Sequence, residues 1–178
     1  MEVSDMTVQE KYKKITSTLI QDHLKISTME SCTAGFIASL ITDTEGASAI
    51  FEGSYITYAN RTKIQCGVPS AVLEEHGVYS KETAVAMAKC CLQGFSADLG
   101  IGVTGSFGNV DPSNPDSVPG EVYYAIATKK EIKTGYARLD PLPSRFAYKM
   151  DMAERIADEL LTILTDLSPD QISSPASD

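Results

Sequence analysis

The chain has 178 residues, of which 43% are hydrophobic, with 15 Lys and Arg against 24 Asp and Glu and a net charge of −9. Such a length is enough for one domain with a substantial core, and the acidic balance argues against a general nucleic-acid surface, which needs clustered cations. No apolar run reaches the length of a membrane span, and the acidic start Met1-Glu2-Val3-Ser4-Asp5 lacks a secretory layout, so a cytoplasmic protein with no membrane partner is expected.

The apolar spacing of Tyr12, Ile15, Leu19 and Ile20 predicts a helix over Gln9 to Asp22. A short strand follows from Lys25 to Met29, then a second helical pattern with Phe36, Ile37, Leu40 and Ile41 on one face. Gly46 breaks that pattern, and a long strand is expected from about Ala49 to Tyr58, ending in a turn that carries Lys63. Pro69 to His76 reads as a short helix stopped by Gly77. Ser80 then caps a helix whose buried stripe is Ala84, Val85, Met87, Ala88, Cys91 and Leu92. Leu99 to Val103 is a buried-type strand ending at Thr104-Gly105, and Glu121–Thr128 with Lys133–Arg138 form a late hairpin. A last helix starts at Ser144.

Strands alternating with helices early and a hairpin late predict a single-domain α/β three-layer sandwich. Its sheet is expected to be mixed, mostly parallel, with helices on both faces. The expected boundaries are a flexible N-terminus over 1–8, the domain over 9–167, and a disordered Ser-, Pro- and Asp-rich tail over 168–178. Four cysteines, Cys32, Cys66, Cys90 and Cys91, form no CxxC or Cys/His pattern at metal-ligand spacing and read as reduced, packed thiols.

The turn Met29-Glu30-Ser31-Cys32-Thr33-Ala34-Gly35 joins a strand to a helix. A hydroxyl there has the free N–H groups and the positive dipole end of the helix as neighbours, suited to an anion or a developing oxyanion. The plain alternative is that Ser31 or Thr33 caps the helix. Ligand sites in such sheets gather at the carboxyl ends of strands. Ser31, the Tyr58 to Lys63 stretch and Thr104-Gly105 all fall there, although a tight turn would also account for Thr104-Gly105.

Several stretches, taken in order, resemble the CinA C-terminal domain family, whose members include nicotinamide mononucleotide deamidases. They are Glu30-Ser31-Cys32-Thr33-Ala34-Gly35, Ser48-Ala49-Ile50-Phe51-Glu52-Gly53, and Tyr58-Ala59-Asn60 followed by Lys63. Gly67-Val68-Pro69, His76-Gly77-Val78-Tyr79-Ser80 and Val103-Thr104-Gly105 continue the set, and the resemblance runs from about Glu10 to about Leu164.

The resemblance implies an amidohydrolase that converts nicotinamide mononucleotide to nicotinic acid mononucleotide and ammonia. Ser31 would be the nucleophile, Lys63 its proton acceptor, and Tyr58 a group that relays or orients the proton. A serine needs such a base, and a lysine serves when burial lowers its pKa. His23 and His76 are the only histidines, and neither is expected at the pocket, which makes a Ser-His-Asp triad a poor fit. Taken alone, Lys63 would read as a solvated surface lysine. Thr33, Gly35, Asn60, Arg61, Thr104, Gly105 and Arg145 are the expected substrate-binding residues, with Arg145 on the phosphate. Arg145 and Lys149 stand one turn apart at the start of the last helix, where cations add to the dipole's positive end and suit an anion. No cofactor and no metal are implied. The partner is a small-molecule nucleotide rather than nucleic acid, and a homo-oligomer, dimer or larger, is implied.

One segment departs from the family pattern. Family members follow Val-Thr-Gly with a Gly-Pro-Gly-Gly type of loop, whereas this chain has a longer, Pro-studded stretch from Ser106 to Gly120. Asp111 and Asp116 in it would repel a phosphate unless they face solvent. The alternative function is therefore a catalytically altered module that binds a ligand or partner in competence or DNA-damage responses. A phosphate cradle of a kinase or NTPase is disfavoured, since no Walker loop follows any strand. Larger CinA proteins carry an N-terminal domain associated with nucleotide pyrophosphate hydrolysis, an activity not expected of these 178 residues.

Overall fold

In the computed structural model, residues 5–166 are described; residues 1–4 and 167–178, and with them the expected disordered tail, lie outside the described residues. The helices are α1 (Val8–Gln21), α2 (Phe36–Thr42), α3 (Asn60–Gln65), α4 (Ser70–His76), α5 (Lys81–Gly94) and α6 (Arg145–Asp166). The strands are β1 (Ile26–Glu30), β2 (Ser54–Ile56), β3 (Leu99–Gly105), β4 (Glu121–Thr128) and β5 (Ile132–Arg138). Regular structure begins inside the segment expected to be flexible. Thr7 caps α1 and exchanges bonds with Glu10 in a reciprocal capping box.

Five strands form one sheet in the order β2-β1-β3-β4-β5. It is mixed, as expected, but its balance differs. The β1–β2 and β1–β3 ladders are parallel, while β3–β4 and β4–β5 are antiparallel and longer. The reason is the hairpin, which turns the chain back directly and needs no crossover helix.

Side-chain alternation sorts the two faces. Ile26 on β1, Leu99, Ile101 and Val103 on β3, and Val122 and Ile126 on β4 meet Tyr12, Ile15 and Leu19 of α1 and Met152, Ile156 and Leu160 of α6. On the other face Met29 packs with Met87 and Cys91 of α5, and Ala125 and Ala127 pack with Ala84 and Ala88. The α5 face of β3 is bare glycine. A Cβ on Gly102 would stand 2.1 Å from the Ala84 carbonyl oxygen, and one on Gly100 would stand 2.3 Å from that of Ala88. These glycines bring α5 close to the sheet.

Two elements differ from expectation. The strand expected from Ala49 to Tyr58 is only Ser54–Ile56. Ala47–Ala49 curls into a 3-10 turn entered at Gly46 (φ 87°), and the N–H groups of Ile50 and Phe51 both bond the Ala47 carbonyl rather than a neighbouring strand. The turn expected around Lys63 is helical: Thr62 and Lys63 donate their N–H groups back to the Ala59 carbonyl, which opens α3.

Gly102→Ala is expected to destabilise the protein by about 3 kcal/mol, because a rigid backbone carbonyl stands in the way of the new methyl. Urea denaturation of the variant beside the parent measures this.

Candidate active site

Strand β1 delivers Ser31 to the carboxyl end of the sheet. Its N–H still bonds the Val103 carbonyl at 3.0 Å, so the residue stays tied to β3. Beyond it the chain turns through two left-handed residues, Ala34 (φ 52°) and Gly35 (φ 86°). For Ala34 that conformation costs about 1 kcal/mol, a strain held by its surroundings.

What holds the turn is Glu30, fully buried one residue before Ser31. Its Oε2 accepts from the N–H groups of Gly35 (3.0 Å) and Ile37 (3.2 Å), and its Oε1 from the N–H of Ala38 (2.9 Å) and the Thr28 hydroxyl (3.0 Å). A carboxylate there answers both the orphan donors and the positive end of α2. Consequently neither Ser31 nor Thr33 caps the helix; the N-cap is Gly35, with no side-chain cap, and the Thr33 hydroxyl is buried without a partner. The α2 donors expected to receive an anion are largely taken by Glu30. The N–H groups of Cys32 and Thr33, which follow Ser31 in the turn before α2, meet no backbone carbonyl among the described residues and lie against the Cys32 sulfur.

Lys63 comes to Ser31 from α3. Its side chain has no exposed surface, and its Nζ donates to Ser31 Oγ at 3.1 Å and to the Thr57 carbonyl at 2.8 Å. Among the described residues no carboxylate pairs with it. Burial lowers its pKa from 10.5 to about 8, with the more distant charge of Asp111 acting the other way. A lysine so placed reaches its neutral, proton-accepting form close to physiological pH. The adjacent Cys32 is no rival as nucleophile, since burial pushes its thiol up to about 12. The four cysteines are free, as expected.

A cleft of about 390 Å³ opens over Ser31, with Lys63 buried and not lining it; its walls are Ser31, Cys32, Tyr58, Asn60, Gly105, Phe107 and Arg145, together with Tyr79, Asp111 and Asn114. Among the expected binding residues, Asn60, Gly105 and Arg145 line it. Arg145 donates to the Tyr58 hydroxyl at 3.1 Å, and its guanidinium carbon lies 5.4 Å from the centroid of the Phe107 ring. The Tyr58 phenol is therefore engaged with Arg145; among the described residues no hydrogen bond joins it to Ser31 or Lys63. Thr104 is buried, with its hydroxyl on the Val78 carbonyl at 2.9 Å. Gly105 is required by packing, because a Cβ would stand 2.6 Å from the Glu121 carbonyl oxygen. Gly35 serves the turn, and Thr33 is buried and does not line the cleft. Arg61 is exposed on α3 and does not line the cleft, and Lys149 does not line it either. Neither His23 nor His76 lines the cleft.

Sequence reasoning missed the role of Glu30, because a buried glutamate inside a motif carries no mark of what it accepts. It also missed Phe107 and Tyr79. Asp111, expected to repel a phosphate unless it faced solvent, in fact lines the cleft and is held by Tyr79 and Asn114.

The sequence profile of the CinA C-terminal domain matches residues 8–161. The chain belongs to the CinA C-terminal domain family. A putative competence-damage inducible protein of Caldicellulosiruptor bescii is 39% identical over 121 residues, covering 67% of this chain and 29% of that protein. A CinA-like protein of Geotalea daltonii is 40% identical over 133 residues, covering 74% of this chain and 30% of the relative. The chain thus spans about a third of the length of these curated relatives. Among solved structures, the competence/damage inducible protein of Agrobacterium tumefaciens superposes with a TM-score of 0.80 at 26% identity, covering 93% of this chain and 99% of that one. A CinA superfamily protein of Klebsiella pneumoniae shares the fold at 20% identity, with a TM-score of 0.82 over 91% of this chain and 100% of that one. No helix among the described residues is long and apolar enough to cross a membrane.

In this CinA-family fold the buried Lys63 carries a stability cost. Its folded pKa of about 8 lies below the ordinary 10.5, so between those values the unfolded chain binds more protons and stability rises with pH. Below that window both states are protonated and the cost stands in full. Lys63→Met is therefore expected to gain about 1–3 kcal/mol relative to the parent at neutral pH. Thermal melts should show this advantage shrinking as pH rises from about 8 toward 10.5.

Proposed function

We propose that this chain is an amidohydrolase that deamidates nicotinamide mononucleotide to nicotinic acid mononucleotide. The observation that carries the reading is the 3.1 Å bond between Ser31 Oγ and the Nζ of a fully buried lysine. Neutral Lys63 takes the hydroxyl proton as Ser31 Oγ attacks the carboxamide carbon. The N–H groups of Cys32 and Thr33 are the donors for the oxyanion, a role that removes about 3 kcal/mol from such barriers. Protonated Lys63 then returns the proton to the departing nitrogen, and ammonia leaves as the C–N bond breaks. Water attacks the acyl-serine with Lys63 again as base, which frees the carboxylate and restores Ser31. No step calls for a metal or an organic cofactor.

Arg145 is the cation that lines the cleft and receives the phosphate, and the Tyr58 hydroxyl holds its guanidinium in place. As a proton relay, Tyr58 would have to turn its phenol from Arg145 toward Lys63. We assign it first to orienting Arg145. The substrate is a free nucleotide, and the homo-oligomer implied by the family resemblance is part of the same proposal.

Ammonia release from nicotinamide mononucleotide tests the reading. Ser31→Ala and Lys63→Ala are each expected to lower kcat by about 10³-fold or more while the fold persists. In the parent, kcat should rise with pH through a midpoint of about 8, as Lys63 becomes neutral. A folded parent without turnover would instead favour the ligand- or partner-binding module.

A further inference from the structure

Between β3 and β4, the segment from Ser106 to Gly120 is folded around Asp111. The carboxylate accepts from the Tyr79 hydroxyl (2.6 Å), the Asn114 side-chain amide (2.7 Å) and the Ser113 N–H (2.9 Å). The Asp111 N–H donates to Ser117 Oγ at 2.8 Å, and Asn60 at the start of α3 donates to Asn114 at 2.8 Å. The bonds from Tyr79 and Asn114 hold the Asp111 carboxyl below the usual carboxylate range, so it is ionised at neutral pH.

Among the described residues, Asp111 and Arg145 are the two charged side chains that line the cleft, one of each sign. Through Asn114 the Asp111 carboxylate is joined to Asn60 at the start of α3, the helix that carries Lys63, and it lines the same cleft as Ser31. Arg145 lines that cleft beside the Phe107 ring and bonded to Tyr58. A ligand that satisfies both charges is positive near its reacting end and negative at its far end.

We propose that Asp111 is a specificity-determining residue, selecting carboxamides carried on a cationic heteroaromatic ring whose anionic group lies at Arg145. This rests on the amidohydrolase reading above. In an oxidised nicotinamide nucleotide the ring nitrogen bears the positive charge, three bonds from the carboxamide carbon. With that carbon at Ser31, the ring charge enters the field of Asp111. The 1,4-dihydro form keeps the same carboxamide, ribose and phosphate but has a neutral ring, and gains nothing from the carboxylate. Asp111 also sets orientation: it repels the phosphate from the catalytic end and leaves Arg145 as its place.

Calorimetric titration of the Ser31→Ala protein, which holds ligand without turnover, tests the proposal with nicotinamide mononucleotide and its 1,4-dihydro form. The oxidised form is expected to bind about fivefold tighter, the size of one partly exposed charge pair. Adding Asp111→Asn should abolish that preference. Adding Ser117→Ala, which removes a loop bond but no charge, should keep it. Equal binding of the two forms, a preference that survives Asp111→Asn, or one lost equally with Ser117→Ala would overturn the role of Asp111 while leaving the amidohydrolase reading standing. Failure of both forms to bind would overturn that reading itself, and this one with it.

Discussion

A lysine whose ammonium, among the described residues, touches only a serine hydroxyl and a backbone carbonyl has lost its water without gaining a counter-ion. Folding disfavours such a charge, and the price appears as a pKa lowered to about 8. The rest of the site depends on this constraint. Were Lys63 exposed, or paired with a carboxylate, its neutral, proton-accepting form would be about 300-fold rarer at neutral pH. Buried and unpaired, it becomes a base whose nearest hydroxyl is the serine at the end of β1. Helix α3 is what buries it, by turning the chain inward at the point where β2 leaves the sheet.

Glu30 supplies the second half of the arrangement. Its carboxylate binds the start of α2 from below and thereby fixes the turn in which Ser31 stands. Two buried charged groups thus lie on either side of the nucleophile with opposite fates. Glu30 meets several backbone and hydroxyl donors, so its charge is well compensated. Lys63 meets neutral partners only, so its proton is loosely held. The same hydrogen bonds consume the α2 donors, while the N–H groups of Cys32 and Thr33, just after Ser31 in the chain, take no carbonyl partner among the described residues.

Much of this was legible in the sequence because it was local. Caps, glycines and apolar spacing located α1, α4, α5, β3, the β4–β5 hairpin and α6 to within a residue or two. The ordered motifs brought Ser31 and Lys63 into one site. The errors came where local signals misled. Ala49 to Tyr58 reads as strand by composition, yet Ala47–Ala49 consumes its own backbone groups in a 3-10 turn and leaves a three-residue β2. Tyr58 was linked to the proton by its motif, while its partner Arg145 lies 87 positions away and could not be read from spacing. The bonds of Asp111 to Tyr79 likewise join distant segments.

The central claim is that Lys63 is a buried base, and the most direct measurement is the titration of Lys63 itself. Selective ¹³Cε labelling of lysine, with Lys63→Met to assign the resonance, reports its protonation by NMR across about pH 6–11, a span that contains both candidate values. A midpoint near 8 would bear out the burial of an unpaired ammonium beside Ser31. A midpoint at the ordinary 10.5 would contradict it, because neutral Lys63 would then be about 300-fold rarer at neutral pH and too scarce to serve as the base.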